Sequence, residues 1–161
     1  MKGKKILKDP IEYYEKVNLG NFVKTLIIVL MLVFGVIGLA GWYSVSPLFG
    51  IVMAFSGVFI ISVLYTIFGR LTISTTSKEL IVAFRFFNKR FFLCDINSCE
   101  QTMTNVRKYY GVGIRYGVDG SLAYSTSFGS AVKITKTGEK PFVFSTKHPE
   151  TVCQILSTKN R

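Results

Sequence analysis

The chain has 161 residues, 49% of them hydrophobic, and carries 20 Lys and Arg against 9 Asp and Glu, a formal net charge of +11. One histidine and 3 cysteines are too few for a zinc centre, which wants closely spaced pairs and further ligands. The cations are scattered, with no motif beyond charge, which argues against a nucleic-acid partner.

Residues 1–24 hold six lysines (Lys2, Lys4, Lys5, Lys8, Lys16 and Lys24) and read as a basic cytoplasmic leader. Within it Asp9 has the place of an N-cap, Pro10 of the first helical residue, and Glu12 of the capping-box acid. This predicts a short helix on the membrane surface, with Ile11, Tyr14 and Val17 along one side. A mobile leader is the alternative.

Residues 25–69 contain no charged side chain, and Lys24 and Arg70 mark the two ends. A spanning helix needs about 20 apolar residues, so the stretch fits two crossings and a turn. Pro47 cannot continue a preceding helix, which sets the turn at Ser44, Val45, Ser46 and Pro47 and the spans at 25–43 and 48–69. A cleaved signal peptide is the rival, with Leu39, Ala40 and Gly41 as a faint cleavage site. The run is too long for a signal core of about 7–15 residues, however, and a polar leader precedes it.

Arg70, Lys78, Arg85, Lys89 and Arg90 follow the second span, whereas the turn between the spans holds no cation. That asymmetry predicts a multi-pass protein of the cell membrane with both termini cytoplasmic. Trp42 and Tyr43 fall where the outer interface should lie. In a cytoplasmic domain Cys94, Cys99 and Cys153 meet reducing surroundings and need no disulfide. The spans bury no ionisable group, which argues against transport. Gly35, Gly38 and Gly41 in the first span, and Gly50, Ala54 and Gly57 in the second, are transmembrane packing positions. They pack the hairpin on itself, or turn one row toward a partner or a second copy.

Residues 70–161 read as one cytoplasmic domain. Leu71, Ile73 and Thr75 alternate with polar residues, and Leu80, Val82, Phe84 and Phe86 continue the pattern in a long second strand. Asn88 and Lys89 turn the chain into a strand at 90–93, and another is expected around 99–107. Further short strands are predicted at 113–116, 121–125, 131–135 and 142–145, separated by turn formers such as Asp119-Gly120 and Thr137-Gly138. A closing helix starts near His148 and Pro149, with Val152, Ile155 and Leu156 on one face and Cys153 beside them as packing. The expected fold is therefore a membrane α-helical hairpin followed by a mainly-β barrel or sandwich of about seven antiparallel strands and a C-terminal capping helix.

The run Tyr109-Tyr110-Gly111-Val112-Gly113-Ile114-Arg115-Tyr116, with Gly120 and Ala123-Tyr124 after it, resembles the central signature of bacterial and archaeal PH-like membrane proteins. Gly129, Ala131-Val132-Lys133-Ile134, and Ser145-Thr146-Lys147-His148-Pro149-Glu150 continue the likeness, as does the strand before the signature. The resemblance implies a pleckstrin-homology-type domain preceded by two transmembrane helices. It does not extend to the closing-helix tryptophan of eukaryotic PH domains, since Trp42 in the first span is the only tryptophan. Eukaryotic lipid-binding properties are accordingly not implied.

The tail holds fourteen Lys and Arg against six Asp and Glu, a net of +8. Arg85, Lys89, Arg90, Arg107 and Lys108 form the candidate basic surface for an anionic leaflet. Arg115, in a Tyr-rich and Gly-flanked segment, is expected in a structural ion pair with Asp95 or Glu100. No catalytic, cofactor or metal residue is expected. His148 is explained by capping, Cys94 and Cys99 do not make a zinc site, and the Gly111–Gly113 pair lacks the Lys of a phosphate loop. The expectation is a non-catalytic, membrane-anchored binding or assembly module. Its partners would be the bilayer, a protein at a sheet edge, or a second copy. Alternatives are a sensor of anionic lipid and an accessory subunit of a transporter or envelope enzyme.

Overall fold

The computed structural model describes residues 10–104 and 111–159. The chain begins with strand β1 (Ile11–Asn18) and enters two long helices, α1 (Asn21–Ser44) and α2 (Pro47–Phe68). It returns as β2 (Arg70–Thr76), β3 (Glu79–Ala83) and β4 (Asn88–Phe92). One 3-10 turn (Leu93–Asp95) leads to β5 (Ile96–Thr104), and then come β6 (Gly113–Tyr116), β7 (Leu122–Ser125), β8 (Gly129–Lys136), β9 (Phe142–Ser145) and helix α3 (Pro149–Lys159).

β1 replaces the short surface helix expected there; Asp9, its supposed cap, lies outside the described residues. β1 lies antiparallel on β2, with Tyr14 opposite Ser74 and Val17 opposite Leu71. Its burial has period two: Glu15 and Val17 point inward and Tyr14 and Lys16 outward. Ile11, Tyr13, Tyr14 and Val17 are strand-favouring residues, and pairing with β2 overrides the local helix-start signal. The helical pair is thus spliced between two adjacent strands. Only Leu19, Gly20 and Gly69 separate strands from helices, and Leu19 N–H donates to the Gly69 carbonyl at 3.2 Å.

Both helices are long and apolar enough to cross a membrane. The turn between them ends as the residues dictate: Pro47 opens α2, and Ser46 Oγ accepts from Phe49 N–H at 3.2 Å. The helices touch along a small-residue seam. A Cβ on Gly50 would fall 2.5 Å from the Gly38 carbonyl oxygen, and one on Gly38 would fall 2.8 Å from the Ala54 Cβ. Gly41 packs on Phe49 and Gly57 on Phe34. Gly35 has open space instead, with nothing within 4 Å.

The strands form two sheets, β1-β2-β3-β4 and β5-β8-β9-β7-β6. They do not close into a barrel, nine strands rather than about seven are described, and β7 runs parallel to β9. The strand without a sequence counterpart is β1; β4 answers to the strand expected at 90–93, and β3 ends at Ala83 instead of running on to Phe87. Phe84 N–H donates to the Phe87 carbonyl at 2.8 Å, turning the chain so that Ala83 faces Asn88. Apolar alternation continues through the turn, so periodicity alone could not end the strand.

One core fills the space between the sheets. Leu71, Ile73, Leu80 and Val82 meet Val132, Phe142 and Phe144, with Val152 and Leu156 of α3 closing one side. Each such side chain contributes about 1.5–3 kcal/mol on burial, so this core dominates the domain's stability. Cys99 of β5 and Cys153 of α3 are joined by a disulfide, their Cα atoms 5.5 Å apart. The expectation that no disulfide forms, and that Cys153 serves packing alone, is corrected here. The two cysteines are 54 residues apart in sequence, and only the docking of α3 along β5 brings them together. Cys94 is free and exposed.

Candidate functional site: the neck between helices and sheets

The strand-to-helix connections place several loops at one level, around the ends of α1 and α2. β3 runs antiparallel to β2, so its far end and the 84–87 turn return to the start of β2 beside Phe68. Phe68 stacks on Phe87 (6.2 Å, 4° between planes) and meets Phe84 edge-on at 5.5 Å. Phe86, at the tip of this turn, is 69% exposed. On the other side the β7–β8 turn touches the start of α1: Gly20 N–H donates to the Thr126 carbonyl at 3.1 Å, and Phe128 meets Phe22 at 6.2 Å. With no free linker, the domain is held against the helix ends in one orientation.

Three grooves surround this neck. The first, about 550 Å³, is lined by Asn18, Tyr65, Thr66, Arg70, Thr72 and Arg85 among others. The second, about 450 Å³, lies between α1, α2 and β6 and has Arg115 at its rim. The third, about 540 Å³, gathers Lys24, Lys147, Asn21, Ser127 and Ser130. Among the described residues, none of the three linings contains a carboxylate. A groove with cations, hydroxyls and no acid favours an anion, and cations beside an anionic surface contribute about 1 kcal/mol each.

The expected basic surface is thus divided. Arg85 joins Arg70 at the neck, whereas Lys89 and Arg90 are exposed on the edge strand β4. Arg107 and Lys108 lie outside the described residues, as do Tyr109 and Tyr110. Arg115 is not in the expected ion pair. It is exposed on edge strand β6, and its Nε donates to the Val112 carbonyl at 3.4 Å. Asp95 instead meets Lys136 at 3.2 Å, and Lys136 also reaches Glu139 at 3.0 Å. Those hydrogen bonds, first to Glu139 and then to Asp95, raise the Lys136 pKa. Glu100 faces Lys133 across β5 and β8.

Beside the third groove, whose lining includes Thr146 and Lys147, a polar centre is buried. Glu15 Oε2 accepts from Tyr13 Oη at 2.8 Å and Thr146 Oγ1 at 2.6 Å, and Oε1 accepts from Lys147 N–H at 2.8 Å. Thr146 Oγ1 in turn accepts from His148 N–H at 3.2 Å, so Glu15 and Thr146 together shape the start of α3. His148 contributes its backbone there; its carbonyl accepts from Val152 N–H at 3.2 Å. Burial, then the hydrogen bond and charge of Glu15, push the Tyr13 phenol up to about 12. Sequence reading missed Glu15, Arg70 and Phe86. The alternation of Tyr13, Glu15 and Val17 and the adjacency of Arg85 to Phe86-Phe87 were the available signals. Among the described residues, no cluster of three His, Cys, Asp or Glu could hold a metal. Compared with known proteins, the chain matches no family model, and no curated protein aligns with it.

Proposed function

We propose that the chain is a membrane-anchored, non-catalytic binding module whose PH-like domain sits on the cytoplasmic leaflet and holds anionic headgroups around its neck. The carboxylate-free grooves at the helix ends carry this reading. The splice of the helices between β1 and β2 adds to it, because a domain without a linker presents those grooves to the headgroup layer continuously. Phe86 and Phe87 beside Arg85 suit an interface, where apolar rings enter the leaflet and cations stay at the headgroups. The PH-like part rests on the signature residues named above.

The cations flanking the helices and the Cys99–Cys153 bond favour opposite sides of the membrane. We give the cations precedence, because they direct insertion, whereas the thiols take the redox state of the side on which they arrive. A protein partner is the second reading. β4 and β5 are open sheet edges able to accept a strand, and Phe92 on β4 and Met103 on β5 are exposed.

Two measurements test the proposal. A membrane-impermeant maleimide should label Cys94 only after cells are permeabilised; labelling of intact cells would refute the orientation. The full chain in nanodiscs should melt higher in phosphatidylglycerol than in phosphatidylcholine, with the difference reduced by salt and by Arg70→Gln with Arg85→Gln. Equal melting in both lipids would sink the headgroup reading.

A further inference from the structure

The groove under β6 differs from its two neighbours at the neck. Val23, Ile27 and Leu30 of α1 face Ile61, Leu64 and Phe68 of α2, and residues 112–115 form its roof. The small residues of the seam bring the helices together farther along, at Gly38, Gly50 and Gly57. Nearer the domain, branched and aromatic side chains line a wedge of about 450 Å³.

The polarity of this wedge changes along its depth. Among the described residues Arg115 is its one charged lining residue, and it stands at the domain end. Among the described residues only its Nε is engaged, with the Val112 carbonyl, which leaves the outer nitrogens of the guanidinium as donors there. Leu30 lies nine residues beyond Asn21, which at about 1.5 Å per residue is about 14 Å. That is close to half of a hydrocarbon core about 30 Å thick. The groove therefore runs from the headgroup level to near the bilayer middle, apolar below and cationic above. A phospholipid has the matching profile, and a guanidinium matches phosphate geometry.

Building on the proposed headgroup reading, we infer that this groove is a dedicated site for one anionic phospholipid, with an acyl chain between α1 and α2 and its phosphate on Arg115. The other two grooves meet headgroups in exchange with the leaflet, so salt weakens their preference. The lipid under β6 is held by apolar contact as well and stays through high salt.

Native mass spectrometry of the full chain tests this. The protein is reconstituted with equal phosphatidylglycerol and phosphatidylcholine, extracted in mild detergent at high salt, and weighed intact. The expected result is one retained phospholipid, enriched in phosphatidylglycerol. Arg115→Gln should lower that enrichment about fivefold, the worth of one cation near an anionic lipid. Arg115→Lys should keep most of it. Ile27→Trp, which fills the wedge, should remove the adduct while domain melting stays that of the wild type. A wild-type chain without an adduct would overturn the site. So would an adduct of unbiased composition that Arg115→Gln leaves unchanged. Arg70→Gln with Arg85→Gln should leave the adduct in place; an adduct lost in that variant and kept in Arg115→Gln overturns the assignment to Arg115. Loss of the salt-sensitive preference alone, with the adduct intact, refutes the headgroup reading of the other grooves and supports this one.

Discussion

Replacing Glu15 tests how the N-terminal strand is tied to the C-terminal helix. Glu15 is 8% exposed, and its carboxylate accepts from the Tyr13 hydroxyl, the Thr146 hydroxyl and the Lys147 amide. A hydrogen bond to a charged group contributes about 1.5–3 kcal/mol, and an orphaned buried donor costs about 1–3 kcal/mol. Glu15→Gln keeps the volume but turns an amide NH2 toward at least one of these donors, so the expected loss is about 2–3 kcal/mol. Glu15→Ala orphans all three, with a loss of about 4 kcal/mol, less than three full increments because the two hydroxyls can rotate. At about 4–8 °C per kcal/mol for a domain of this size, Glu15→Gln should lower the domain Tm by about 8–24 °C. Near-UV circular dichroism of the full chain in detergent reads this directly. A Glu15→Gln melt within about 1 °C of wild type would refute the bridging role. The same variant bears on Tyr13, whose phenol stands at about 12. Its neutral form is favoured in the fold, so its contribution is full below about 10 and lost as pH rises through about 12. Removing the Glu15 charge should move tyrosinate formation at this residue down toward 10, with burial keeping part of the shift.

The seam and the disulfide give sharper contrasts. Gly50→Val would drive a side chain into the backbone of Gly38 and Trp42, so it should separate the helices and lower the yield of folded protein; Gly35→Ala, which meets nothing within 4 Å, should be neutral. Fluorescence transfer between dyes on the two helices distinguishes them. The Cys99–Cys153 bond closes a loop of 54 residues, and its loss by Cys99→Ser with Cys153→Ser should cost about 4 kcal/mol, seen as a lower denaturant midpoint of the oxidised protein. If the domain is cytoplasmic, rapid trapping of thiols in cells should find all three cysteines reduced, whereas the protein purified in air should leave only Cys94 to react.

The helices were legible because charge is absent over a long run and Pro47 breaks it, signals that need no tertiary context. The strands at 113–116 and 142–145 were legible from alternation bounded by glycine and polar turns. What failed needed partners distant in sequence. β1 looked like a helix start because the strand it pairs with, β2, lies beyond both helices. The β3–β4 turn hid in an apolar run because its closing bond joins Phe84 to Phe87, which carry the same side chain. The disulfide and the Glu15 centre join positions 54 and 131 residues apart. The neck was only half visible: Arg85 stood out by charge, but that it shares a groove with Arg70, and that Arg115 lines a groove with the helices rather than pairing with Asp95, depends on how both sheets meet the helix ends.

A neck pressed against the headgroup layer carries Phe86 with it, at the exposed tip of the 84–87 turn. A bimane placed by Phe86→Cys in a Cys94→Ser background, in nanodiscs containing spin-labelled lipids, reports the depth of the turn. Strong quenching by headgroup and shallow acyl labels is expected, with weak quenching by labels near the bilayer centre. A probe left unquenched by any lipid label, while the helices remain inserted, would place the domain away from the membrane and refute the docked neck.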